Sequence, residues 1–214
     1  MDAAVAASAV LCVTEPLATG IGGDCFLLYH EAATGKLHAL NGSGRAPYRA
    51  TPDVFSGQDM SSIPGRGILP VTVPGAVDAW QTALGRFGTL DLGTLLAPAI
   101  DYAEAGFAVS PVVAVDWQRQ AGLFRQSADS ARCFLLDDRA PVAGSRHHFP
   151  DLARSLRLIA AQGRDALYTG PLAEEIVHFS HAHNGLLEMD DFAGHCSEWV
   201  EPVACDYRGL RIFE

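Results

Sequence analysis

The feature that most constrains this chain is the order of signals in its first forty residues: a helix, then a glycine loop, then a hairpin. Residues 2–11 form an Ala/Val run of high helix content. Glu15-Pro16 closes it, because proline cannot continue the ladder, and Thr19-Gly20-Ile21-Gly22-Gly23 follows as a tight loop. Residues 25–30 then read as a buried strand, 31–35 as a turn and 36–41 as a returning strand. This order excludes a dinucleotide loop, which needs a strand before the glycines and a helix after them to meet the pyrophosphate. The glycines are expected to let the hairpin pack closely. No capping residue or turn precedes residue 2, so the chain is expected to begin inside a helix.

Residues 41–70 are rich in Gly, Pro, Ser and Asp without periodicity and read as a long surface loop. Pro74-Gly75 introduces a helix through Phe87, with Val77, Trp80, Leu84 and Phe87 on one buried face, and Gly88 ends it. Further helices are expected over 92–105, with Leu95, Leu96, Ala99, Ile100 and Ala103 inward, and over 111–125. Three more follow over 151–161 with Leu152, Leu156 and Ile159 inward, over 171–184, and over 189–193. Residues 198–206 and 210–213 read as strands around Tyr207-Arg208-Gly209, a hairpin with no partner expected inside the chain. One domain is expected over 1–214: pocket-forming elements in 1–50, mainly helix in 51–195, strands in 196–214.

About half the residues are hydrophobic and 19% are charged, which makes the chain globular. A net charge of −10, with Lys36 the sole lysine and arginines scattered singly, excludes a nucleic-acid partner. No apolar run reaches the roughly 18 residues of a membrane span. The apolar start lacks the basic residues of a secretory signal. Cys12, Cys25, Cys133, Cys196 and Cys205 form no C-x-x-C. They are read as buried reduced thiols of a cytoplasmic protein, although an upstream signal would place it in the periplasm.

Several other groups of residues have the make-up of a chemical site without its full pattern. Glu174, His178 and His181 recur at helical spacing with His183 nearby, but no acidic or thiol cluster supports a metal. His147-His148 reads as a polar loop. Gly42-Ser43-Gly44 lacks the fuller nucleophile-elbow pattern, and His38 would have to act as its base from within a strand. Asp137-Asp138 and Asp190-Asp191 stand at turn or cap positions.

Taken in order, a series of segments resembles the γ-glutamyltransferase family of N-terminal-nucleophile hydrolases. The first are Asp2-Ala3-Ala4-Val5-Ala6-Ala7, Glu15-Pro16 with the glycine loop, and Leu40-Asn41-Gly42-Ser43-Gly44-Arg45-Ala46-Pro47. Val73-Pro74-Gly75, Arg86-Phe87-Gly88-Thr89-Leu90, Leu96-Ala97-Pro98-Ala99-Ile100 and Gly106-Phe107 continue it. Asn184-Gly185-Leu186-Leu187, Asp190-Asp191-Phe192 and Tyr207-Arg208-Gly209 complete it. The resemblance covers essentially the whole chain. It implies a helix-rich α/β portion of a four-layer αββα sandwich, from a proenzyme that cleaves itself into large and small subunits.

By the same resemblance, the nucleophile is the N-terminal threonine of the small subunit, its own amine serves as base, and no cofactor is involved. This chain then corresponds to the large-subunit portion and is inactive alone. Its partners are the small subunit, a small-molecule amide such as a γ-glutamyl compound, and a second heterodimer. The large subunit is expected to supply part of the acyl pocket through Asn41, Ser43 and Arg45. The family arginine that binds the substrate carboxylate falls on Ser43 in register on Ala46-Pro47. Either Arg45 takes over that role, or the pocket accepts a different acyl group, as in oxamate amidohydrolases and β-lactam acylases, or Arg45 pairs with a neighbouring carboxylate and holds the loop. A non-catalytic binding or assembly module is the alternative from another class.

Overall fold

The computed structural model describes residues 1–57, 60 and 62–214. Helix α1 (Asp2–Thr14) leads to strands β1 (Cys25–Glu31) and β2 (Lys36–Gly42). The expected loop over 41–70 carries a short helix, α2 (Pro52–Ser56), started by a proline at its first position; Gln58, Asp59 and Ser61 lie outside the described residues. Then come α3 (Ala76–Phe87), α4 (Leu92–Ala105), β3 (Phe107–Ala108), α5 (Pro111–Phe124) and α6 (Ala128–Phe134). They are followed by β4 (Arg146–His147), α7 (Pro150–Gln162), α8 (Asp165–Tyr168), α9 (Pro171–Ala182) and α10 (Met189–Ala193). The chain closes with β5 (Glu198–Val200), β6 (Ala204–Tyr207) and β7 (Leu210–Phe213). The expected single strand over 198–206 is therefore broken, and the break falls at Pro202, which has no N–H to give a ladder.

The elements divide into two compact units. The first comprises Met1–Gly20 and Thr89–Gly163. Its frame is α4, which packs against both α1 and α7. Ala9 and Val13 of α1, Leu96, Ala99 and Ala103 of α4, and Leu156 and Ile159 of α7 are sealed from solvent. Helices can approach this closely because residue 93 is glycine: a Cβ there would stand 2.9 Å from the Ala160 carbonyl oxygen. Asp91 caps α4 by accepting the Thr94 N–H at 2.8 Å, and Asp2 accepts the Thr89 N–H at 3.0 Å.

A second cluster in this unit surrounds Trp117, whose indole donates to the Phe134 carbonyl at 2.7 Å. His147, expected in a polar loop, is instead buried in β4 among Trp117, Phe107 and Phe149. Its Nε2 donates to the Cys133 carbonyl at 3.0 Å, and burial holds its pKa below the ordinary value. The pairing of β3 with β4 turns it inward, which no local pattern announces.

The second unit comprises Ile21–Gly88 and Arg164–Glu214. Strands β1, β2 and β5 form an antiparallel sheet in that order. Opposed residues share a face, so the register sorts the side chains. Tyr29, His38 and Trp199 turn to one face, where they meet Phe87 of α3. Phe26, Leu28, Asn41, Glu198 and Val200 turn to the other. That face stays open: Phe26 is 70% exposed, and a cavity of about 400 Å³ lies over it. Strands β6 and β7 pair through a two-residue turn in which Arg208 and Gly209 both have positive φ.

The cysteines depart from expectation. Cys12 alone is fully buried, Cys25 and Cys133 are half-buried, and Cys196, just before β5, and Cys205, within β6, are exposed.

Candidate functional site

The loop that follows β2 is built by close backbone contact. Asn41 turns the chain by accepting the Ser43 N–H on its side-chain oxygen at 3.0 Å. A Cβ on Gly44 would stand 1.7 Å from the Val73 carbonyl oxygen, and one on Gly75 would stand 2.0 Å from that of Gly42. Glycine at these positions lets the loop lie directly on the 73–75 segment. Gly22 has open space where a Cβ would project, so the expectation that it allows close packing is wrong; the close contacts are made by Gly42 and Gly44. Gly23 contributes through its carbonyl, which accepts the N–H groups of Gly75 and Ala76 at 2.9 Å each and so starts α3.

Asp24 accepts the Gly44 N–H at 2.6 Å, and the Arg45 carbonyl accepts the Val73 N–H at 3.0 Å. At the loop's end, the Tyr48 N–H donates to Asp191 at 2.7 Å. Asp191 is buried because it also accepts the Glu188 N–H at 2.7 Å in the capping box of α10. The backbone from 41 to 48 is thus fixed at both ends.

Of the three expected pocket residues, Asn41 and Arg45 are exposed and Ser43 is half-buried. Arg45 pairs with Glu198 of β5 through a single guanidinium nitrogen, Nη2, and among the described residues this is its one polar partner. Glu198 is brought there by the ladder, which sets it opposite Asn41. Both side chains of the pair are more than half exposed, at 56% and 55%. Surface pairs of this kind contribute little to stability.

Beneath the loop lies a buried polar network that sequence inspection did not find. Asp78 of α3 accepts from Arg164 Nε with one oxygen and from the Ser197 N–H at 2.5 Å with the other. Arg164 also donates to the His195 carbonyl at 2.9 Å, and the Tyr168 hydroxyl donates to the Pro74 carbonyl at 2.7 Å. The His195 ring is buried and stacks on Tyr168 at 5.3 Å, and desolvation holds its pKa below the ordinary value. The network clamps the 195–197 segment that leads into β5. Its one sequence signal is an aspartate on the apolar face of the 76–87 helix.

The alternative chemistries lose their geometry. Both ring nitrogens of His38 are engaged, Nδ1 by Arg86 at 3.3 Å and Nε2 by Glu31 at 3.2 Å, so neither serves Ser43. His181 pairs with Glu188 at 3.1 Å, and His183 donates to the Phe179 carbonyl at 2.9 Å. No group of three candidate metal ligands gathers among the described residues.

A helix-rich mixed α/β chain with few strands, ending its first hairpin in a glycine-locked loop that presents an arginine, has close counterparts among solved N-terminal-nucleophile hydrolases. The γ-glutamyltranspeptidase of Helicobacter pylori superposes with a TM-score of 0.93 at 32% identity, over 99% of this chain and 62% of that one. Cephalosporin acylase of Bacillus halodurans superposes with a TM-score of 0.93 at 39% identity, over 99% of this chain and 40% of that one. The chain belongs to the γ-glutamyltranspeptidase family, whose model matches residues 1–214. It is 42% identical to the glutathione hydrolase-like YwrD proenzyme of Bacillus subtilis over 100% of its own length and 40% of that protein's. The chain thus spans about two fifths of the length of that curated relative.

Proposed function

We propose that this chain is the large-subunit portion of an amidohydrolase that moves an acyl group from a small amide to water or an amine. The nucleophile is assigned to a threonine of the small subunit, outside these 214 residues. The observation that carries the reading is Arg45. Its backbone is locked by the Val73 contact and, among the described residues, only Nη2 of its guanidinium is engaged, which suits a carboxylate on the acyl donor. Ser43 and Asn41 are the neutral hydrogen-bonding groups of the same loop. The open sheet face carrying Phe26, Leu28 and Val200 is the surface we assign to the small subunit, since exposed apolar area of this kind marks an interface. We assign the protein to the cytoplasm, in keeping with reduced thiols at Cys25, Cys133, Cys196 and Cys205. No described helix is long and apolar enough to cross a membrane.

Replacing Arg45 by alanine in the full-length protein is expected to raise KM for a carboxylate-bearing anilide by roughly tenfold or more, the worth of one charge-assisted contact. An unchanged kcat/KM removes Arg45 from the pocket. Ser43, at the position of the family arginine, favours a second reading, in which the donor is a short acid amide or a β-lactam side chain. Direct comparison of γ-glutamyl and glutaryl anilides with oxamate separates the two.

A further inference from the structure

On the sheet face that packs against α3, Arg86 is held, among the described residues, without a carboxylate. It lies over the rings of Phe87 and Trp199, at 4.9 and 4.7 Å from their centroids, and donates from Nη2 to His38 Nδ1 at 3.3 Å. These contacts join the last turn of α3 to β2 and β5. They also fix the tautomer of His38. A guanidinium only donates and an ionised carboxylate only accepts, so Nδ1 carries the lone pair and Nε2 carries the proton given to Glu31 at 3.2 Å. A neutral imidazole thus stands between a cation and an anion.

Nδ1 is the one ring position open to a further proton, and filling it turns the acceptor of Arg86 into a donor of like charge. The charged ring keeps Glu31. Hydrogen bonds from the Thr34 hydroxyl and from His38 hold that carboxyl below the usual range, so it stays ionised as the ring charges. Nothing else on this face compensates Arg86. Lys36, set opposite Glu31 by the ladder, is a further cation; Tyr29 of β1 and Trp199 of β5 bring uncharged rings, and Glu198 turns to the other face. The aromatic seat also gains a competitor, because the His38 ring stands 4.9 Å from Phe87.

We infer that protonation of His38 exchanges partners in this cluster: the imidazolium stays on Glu31 and expels Arg86 from the rings of Phe87 and Trp199, untying the last turn of α3 from β2 and β5. The inference goes beyond the proposed amidohydrolase function and does not depend on it.

The test is quenching of Trp199 fluorescence by acrylamide, a neutral quencher, on the full-length protein between about pH 8 and pH 5, the range in which histidine changes charge. The difference between the native protein and Trp199→Phe isolates this ring from the other tryptophans. In the native protein, quenching is expected to rise in a single one-proton step as the pH falls and the guanidinium uncovers the indole. His38→Gln keeps a donor for Glu31 and an acceptor for Arg86 but takes up no proton, so it should stay at the low level throughout. Arg86→Ala, at an exposed position, should stand at the high level throughout. Native quenching that does not change with pH, or a step that survives in either variant, overturns the exchange. Should His38→Gln fail to fold, Arg86→Ala decides: loss of the step upholds the exchange and its persistence overturns it.

Discussion

The two compact units hold themselves together by different means. In the first, α4 lies against α1 and α7 on small and aliphatic residues, and the buried polar exception, His147, is enclosed by aromatic rings. The second buries charge: Asp78, 3% exposed, anchors Arg164 and the Ser197 backbone beneath a loop pressed against its neighbour by glycines. An apolar helix interface tolerates exchange among residues of similar volume. A buried carboxylate with two fixed donors does not, because removing a donor leaves the charge uncompensated. The unit that carries the candidate pocket is accordingly the one whose geometry is set by hydrogen bonds and charge.

Removing that compensation is expected to have the largest effect. Arg164→Ala leaves the Asp78 carboxylate without its guanidinium and should lower stability by about 3–5 kcal/mol. Hydrogen exchange should show the lost protection in β2, β5 and α3, with α4 and α7 retaining theirs. Equal loss in both units would break the distinction. Leu96→Ala, at a fully buried position of α4, should cost about 3 kcal/mol through transfer and cavity terms, with the loss falling on α1, α4 and α7.

Gly44→Ala drives a Cβ into the Val73 carbonyl and should cost about 1–3 kcal/mol in strain. Because Arg45 is the next residue, the same change should raise KM for a carboxylate-bearing donor. A variant of native KM would detach the glycine contact from the pocket.

The smallest effect concerns acid, and each unit holds one reporter. His147 and His195 both have pKa values pushed below the ordinary 6.5, chiefly by desolvation. A depressed histidine pKa means that the unfolded chain takes up the proton first. Stability is therefore full above about 6.5 and declines as pH falls from there through the lowered folded values. Urea midpoints measured against pH should flatten in this window for His147→Phe and His195→Phe. The His195 variant should act on the second unit's protection and the His147 variant on the first. Unaltered pH dependence in both would show that neither imidazole is neutral and buried in solution.

Helices with an apolar stripe were readable in place, although Phe87 and Leu152, expected inward, are only half-buried. The 76–87, 92–105 and 150–162 segments fall where their 3.6-residue periodicity and flanking Gly or Pro place them. Short elements escaped: α6 and α8, of seven and four residues, present too few turns to show a period. The run from 198 to 206 looked continuous because its composition is strand-like throughout, and Pro202 divides it. Among the candidate pocket residues, motif register placed the family arginine's position on Ser43 and left the role of Arg45 open between three alternatives, and Glu198, the partner of Arg45, lies 153 residues away and meets it through strand pairing.

Sequence alone determined the class of chain, the order of its main helices, the first hairpin and the loop on which the candidate pocket is built. These are local or near-local matters, governed by hydrophobic period, proline and glycine placement, and motif register. The tertiary structure alone decided which glycines are pressed against backbone, which cysteine is buried, that His147 faces a core, and that Asp78, Arg164 and Ser197 form one network. Each of these depends on what a distant segment brings within a few ångströms. Burial and charge compensation are properties of that meeting, and a residue's neighbours in sequence do not carry them.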